Sequence, residues 1–260
     1  MDKIYLGIAT AFFLGGFIYS VIALKNGSFR PSRYNLAAML GGLVFQTLFL
    51  GDRGRIHYAC PVTTAAEMFV FIAWAMVIIY LVLGPTYRLS LLGVFTSPLV
   101  FFFQVPALLA GFDKVAAEAV ADAKGPTNAW LETHIALALI AYGAFAMAFV
   151  AGIMFLVQDR FLKKGKLNGL FFHLPPIQNL SRAILLLVIL GVALLAGALG
   201  SAYAIDGAAG TAKLFIMHGM WVLYAVLLGV RFTRGLPSAQ FARFTILAFA
   251  VPMVSLYFVR

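Results

Sequence analysis

Apolar runs of about twenty residues, each closed by a short stretch of Gly, Pro and charge, recur along the whole chain. A hydrocarbon core about 30 Å thick is crossed by roughly twenty residues of helix. A window of that length predicts eight spans, at about 4–24, 34–50, 62–83, 89–110, 131–157, 183–204, 213–231 and 243–259, with the second and the last at the short end. The separators KNGSFRPSR, GPTYR, QDRFLKKGKLNGLFFHLPPIQNLSR and RFTRGLPSAQFAR carry the turn formers and charges that such connections need. No soluble domain is left over. The expected architecture is an all-α polytopic transmembrane bundle forming one domain over residues 1–260, with room for a short surface helix in GFDKVAAEAVADAKGPTNAW.

Composition agrees, since a chain of 260 residues that is 63% hydrophobic and 11% charged cannot stay soluble as a globule. The net charge of +10 would suggest nucleic acid in a soluble protein. Here the basic residues lie in short loops between apolar runs, so they set topology, and no nucleic-acid partner is expected. Twelve of the 19 Lys and Arg residues follow spans one, three, five and seven, among them Lys25, Arg33, Arg160, Lys163, Arg182, Arg231 and Arg234. That side is expected to be cytoplasmic and both termini extracytoplasmic. The short start MDK lacks a basic leader, which makes the first span an expected uncleaved anchor. Cys60 is the single cysteine, so no internal disulfide or CxxC pair exists.

This orientation gathers polar residues near one membrane face. His134 opens span five in WLETHIALALIAYGAFAMAFVAG, Glu67 lies about five residues into span three, and His218 about five into span seven. His57 falls in the expected outer loop GDRGRIHYACP, beside Arg53 and Arg55. At 1.5 Å per residue these groups share a layer within roughly 10 Å of the outer boundary. Each also has a plain reading. His57 suits a solvated loop, Glu132 and His134 can snorkel to headgroups, and Glu67 and His218 can serve as hydrogen bonds across the bundle. Tyr142, Trp221 and Tyr224 could line a pocket for a flat apolar ligand, although most aromatics in a membrane protein are lipid-facing or interfacial. Gly and Ala at close intervals in AYGAFAMAFVAG and GVALLAGALGSA permit tight helix packing. Layered histidines in an apolar bundle suit haem, with imidazole on iron and basic groups such as Arg55 meeting propionates.

Three ordered segments carry a family resemblance. CPVTTAAEMFVFIAWAMVIIYLVL resembles the CPxsnxxExxxFxaW segment of the cytochrome c assembly protein family, which includes haem-handling and HemX-like membrane proteins. WLETHIALALIAYGAFAMAFVAGIMFLVQDRFLKK resembles the stretch in which an outward-facing histidine opens a helix, and His134 falls on that histidine. KLFIMHGMWVLYAVLLGVRFTRG resembles the helix after the family's tryptophan-rich motif, with Lys213, Trp221 and Tyr224 in matching places. The motif itself reads SAYAIDGAAGTAK, with no Trp, and the second outward histidine expected in the last outer loop is missing. His218 is the substitute candidate.

The resemblance implies a bacterial inner-membrane protein that binds or delivers haem, b-type, for cytochrome c maturation or haem homeostasis. His134 and His218 are then candidate iron ligands, and His57, Glu67, Trp221, Tyr142 and Arg55 candidate lining groups. Such a bundle need not be an enzyme. It is at most the membrane part of a haem ligase, since a reduced CxxCH acceptor must come from an apocytochrome, with another maturation membrane protein as partner. Two other readings stay open: a HemX-like scaffold or regulator that has lost haem binding, and a proton-coupled transporter using Glu67 and His218. Against the transporter, no matching pair of Gly/Pro-broken spans marks two halves. A reporter fused at Arg260 that works only in the cytoplasm is expected to be silent, and activity there would overturn the orientation.

Overall fold

The computed structural model describes residues 2–25, 33–57, 62, 64–86, 92–110, 128–164, 176–205 and 211–258, and among these every regular element is helical. The reason is that lipid offers backbone N–H and C=O groups no partners, so an apolar run closes its hydrogen bonds within itself. In chain order the helices are α1 (Asp2–Lys25), α2 (Arg33–His57), α3 (Ala65–Thr86), α4 (Leu92–Ala110), α5 (Ala129–Lys163), α6 (Ile177–Ala202), α7 (Ala212–Thr233), α8 (Ser238–Ala248) and α9 (Ala250–Phe258). Seven segments are long and apolar enough to cross a membrane, α8 and α9 together forming one of them, and α4 contains a shorter apolar helix. All eight predicted spans have a helix in place, and the protein is a multi-pass membrane bundle.

Some boundaries move. α2 continues to His57 rather than ending near residue 50, so His57 closes a helix instead of sitting in a loop. α6 starts at Ile177 rather than near 183, and α8 at Ser238 rather than near 243. Polar residues extend these helices beyond the apolar window because their side chains find partners: Arg53 bonds Glu67, and Ser238 bonds Ser181 and Arg231. The last span is interrupted at Phe249. Pro252 follows three residues later and has no N–H to continue the ladder. The surface helix expected within 111–127 lies outside the described residues, as do Tyr58 and Cys60.

α1 to α4 pack as one group and α5 to α9 as another, with α3 and α5 forming the seam. α5, at 35 residues the longest helix, is the most buried of the long spans. Its small residues explain this. A Cβ on Gly143 would lie 2.9 Å from the Cβ of Ala75 and 3.4 Å from the backbone of Ile72 and Met76, so α3 and α5 meet almost backbone to backbone. About 200° around α5, Phe145 occupies the notch left by Gly191 on α6, where any Cβ would overlap its ring. Phe145 also stacks on Tyr224 of α7, with centroids 3.8 Å apart and planes 7° from parallel. Polar contacts add to the first group: Trp74 Nε1 donates to Thr47 Oγ1 at 2.9 Å, and Gln46 Nε2 to the Val70 carbonyl.

Gly143→Val is expected to destabilise the bundle by about 1–3 kcal/mol, as over-packing does, and to lower the melting temperature in detergent. Gly200→Ala, where a Cβ meets nothing within 4 Å, is expected to leave it unchanged or slightly higher. Equal melting of wild type and Gly143→Val would refute the α3–α5 contact.

Candidate functional site

α7 packs on α6, α8 and α9 and meets α5 through the Tyr224–Phe145 stack, and a cavity of about 240 Å³ lies between the two helices. Its walls are mostly apolar and come from five helices: Met68 of α3; His134, Ala138 and Tyr142 of α5; Ala202 of α6; Lys213, Leu214 and Met217 of α7; and Ser255 of α9. The cavity therefore spans the seam between the two groups of helices.

His134 is half-buried in the second turn of α5. Asn128 caps that helix, accepting from the Trp130 N–H at 3.0 Å. The imidazole Nδ1 lies 2.7 Å from the carbonyl oxygen of Ala198, near the end of α6. A carbonyl can only accept, so Nδ1 carries the proton and the neutral ring holds its lone pair on Nε2. This is the arrangement in which a histidine is oriented for a metal by the hydrogen bond of its other nitrogen. Two turns further along α5, Tyr142 is buried, with its hydroxyl 2.8 Å from Ser255 Oγ. Ser255 Oγ donates to the Pro252 carbonyl at 2.8 Å, so the phenol is the donor between the two. That bond ties α9 to α5 at the cavity wall.

His218 does not line this cavity. Its Nδ1 donates to the Leu214 carbonyl one turn back, at 2.8 Å, and its Nε2 then accepts from the Tyr203 hydroxyl at 2.9 Å. Trp221 is half-buried and donates to the Val192 carbonyl of α6, at 3.2 Å. Both residues thus face α6, while the buried stripe of α7 is Leu214, Met217, Met220 and Tyr224. The i, i+3, i+6, i+10 spacing of that stripe is the signal that would have pointed to Met217 rather than to its neighbour. Met68 and Ser255 carry no comparable signal, because they reach the cavity only through the packing of α3 and α9.

Glu67 is fully buried, and its described side-chain partners are Arg53 of α2 and Thr64 at the start of α3. Its Oε1 takes the Arg53 guanidinium at 2.5 Å, and its Oε2 accepts the Thr64 N–H at 3.0 Å. Thr64 Oγ1 accepts the Glu67 N–H in return, at 3.2 Å. The Thr-x-x-Glu spacing is a capping box that starts α3, with a buried ion pair added to it. Arg53, placed by the sequence in an outer loop beside His57, lies on α2, is engaged in this pairing and is 8% exposed. Arg55 is exposed on α2, away from the cavity lining. The side chain of His57 lies outside the described atoms. Among the described residues no group of three or more His, Cys, Asp or Glu is placed to hold a metal ion.

The profile of the cytochrome c assembly protein family matches residues 62–260. This chain belongs to that family. The match takes in the α3 capping box and every helix that lines the cavity, and leaves out α1 and α2. The chain is also similar to Protein HemX of Brevibacillus brevis, 25% identical over 221 residues that cover 81% of this chain and 78% of that one. It is similar to Protein HemX of Bacillus subtilis (strain 168), 28% identical over 152 residues, 58% of this chain and about half (52%) of the relative. Arg53 stands outside the matched region and Glu67 inside it, so the ion pair ties α2 to the family's own segment.

Glu67→Ala leaves the Arg53 charge buried without its carboxylate, and is expected to cost about 3–5 kcal/mol. Arg53→Met combined with Glu67→Leu is expected to recover much of that loss, because the two buried charges are removed together. Melting curves of the single and double variants in one detergent check this. A double variant no better than Glu67→Ala would mean that the pair is not coupled.

Proposed function

We propose that this member of the cytochrome c assembly family binds haem at the cavity between α5 and α7, at the extracytoplasmic side of a bacterial inner membrane, with His134 Nε2 as an iron ligand. The observation that supports it is the bond from His134 Nδ1 to the Ala198 carbonyl, which leaves Nε2 unprotonated in the neutral ring. The donor set suits the group: an imidazole lone pair, apolar walls, and Lys213 and Thr211 on the lining as polar edge groups. The volume of about 240 Å³ is below the roughly 300–1,000 Å³ of pockets that enclose drug-sized ligands, so the cavity seats part of a macrocycle rather than all of it. The haem is b-type in this reading, since a chain with one cysteine has no CxxCH for covalent attachment.

In this role His134 supplies the ligand and α6 orients it, Tyr142 and Ser255 hold the wall, and the apolar lining limits water at the iron. Haem bound there is available for hand-over to an apocytochrome, together with another maturation membrane protein. The scaffold reading draws on a specific observation as well: among the described residues no second histidine lines the cavity, and both ring nitrogens of His218 are engaged. The transporter reading draws nothing from Glu67, whose carboxylate is held by Arg53 and the α3 cap.

Protein purified from haem-supplemented cells, or titrated with haemin, is expected to show a Soret band. His134→Ala is expected to lower bound haem at least about tenfold with an unchanged yield. Colourless wild-type protein that does not bind haemin would favour the scaffold.

A further inference from the structure

The opposite end of the α5–α9 group holds a second concavity of about 470 Å³, lined by Gln178, Ser181 and Arg182 of α6, Arg231 of α7 and Ser238 of α8, with Phe155 of α5 beneath. Phe155 is 21 residues along α5 from His134, which places the two sites roughly 30 Å apart. That is about the thickness of the hydrocarbon core. The groove thus sits at the other membrane face and takes no part in the haem reading.

The groove collects positive charge and donors. Arg231 donates to the Leu236 carbonyl and, at 3.1 Å, to Ser238 Oγ, and its guanidinium lies 5.6 Å from the ring centroid of Phe241. Ser181 Oγ donates to Ser238 Oγ at 2.8 Å. These contacts fix the arginine in place, yet none of them neutralises it, because every partner among the described residues is uncharged. Arg182 is exposed one residue beyond Ser181. No acidic side chain is on the described lining, and the nearby carboxylate on α5, Asp159, is paired with Lys163 at 2.7 Å. α6 and α8 both begin here, after Pro176 and Pro237, and neither has a side-chain cap. Their first N–H groups and positive dipole ends add to the two guanidinium charges.

We propose that this groove is a binding site for a phosphate-bearing anion, either the phosphodiester of an anionic lipid headgroup or free phosphate. An immobilised guanidinium with a second one beside it, in a concavity large enough for a headgroup, matches phosphate oxygens in charge and in donor geometry. Basic grooves between transmembrane helices at a bilayer surface are where anionic headgroups are held.

The test uses the full chain, delipidated in a neutral detergent and offered phosphatidylglycerol or phosphatidylcholine at equal mole fraction, with retained lipid counted by native mass spectrometry. Wild type is expected to retain phosphatidylglycerol in preference, and Arg182→Gln to reduce that retention about fivefold. Arg231→Gln is expected to do the same. It also removes the bond to Leu236, so Arg182→Gln, which breaks no backbone contact, carries the result. Arg243→Gln, an exposed cation of α8 outside the groove, is the control and is expected to have no effect. A second arm adds inorganic phosphate. Competition with phosphatidylglycerol would identify free phosphate as an occupant of the same site, and its absence would identify the lipid. Equal retention of the two lipids, or equal loss in Arg182→Gln and Arg243→Gln, would overturn the proposal by reducing it to general surface charge.

Discussion

The close approach of α3 and α5 at Gly143 and Ala75 is the contact on which the rest of the bundle depends. Within lipid there is little hydrophobic gain in bringing two apolar helices together, so association rests on van der Waals fit and on interhelical hydrogen bonds. Small residues supply the fit. α5 is lined by Ala141, Gly143, Ala144, Ala146, Ala148, Ala151 and Gly152, all buried, and can therefore be approached from more than one side. α3 takes one side and α6 another, which makes α5 the shared wall of both helix groups.

The cavity follows from that arrangement. Phe145 reaches past α6 to stack on Tyr224, which holds α7 by a large ring instead of by a small-residue seam. A helix held at ring distance leaves a gap beyond the ring. Toward the α5 N-terminus that gap is the space between His134, Tyr142 and Met217. The end of α6 then acts on the same space, because the Ala198 carbonyl selects which nitrogen of His134 keeps its lone pair. Packing and protonation are in this way one problem: if α6 shifted along α5, the imidazole would lose both its orientation and its tautomer.

Polar groups are placed at the helix ends, where each can be satisfied. Arg53, Thr64 and Glu67 fasten the α2–α3 connection, and Arg231, Ser181 and Ser238 fasten the junction of α6, α7 and α8. The first set holds a buried carboxylate on a buried guanidinium. The second is built around a guanidinium whose described partners are all uncharged, so the two junctions differ in what they can still attract. A buried pair of opposite charge is a clasp, whereas a fixed cation with neutral partners keeps its field for an anion.

Length and hydropathy alone determined that the chain is a multi-pass membrane bundle and where each helix falls, though not where α2, α6 and α8 begin or end, because the bilayer demands about twenty apolar residues with internally closed backbone bonds. The small residues of spans five and six and the family resemblance in three ordered segments were legible in the same way, and the family match over residues 62–260 bears the resemblance out. The roles of individual polar residues were not. Glu67 and His218 lie at similar depths in their spans, yet one closes a capping box on Arg53 and the other hydrogen-bonds Tyr203. Of His134 and His218 only His134 lines the cavity, beside Met217, which the buried stripe of α7 marks, and Met68 and Ser255, which no spacing announces. Depth in a span is a one-dimensional quantity that the sequence carries. The direction a side chain takes around its helix matters only once the neighbours are known, and the packing of α3, α6, α7 and α9 about α5 decided it.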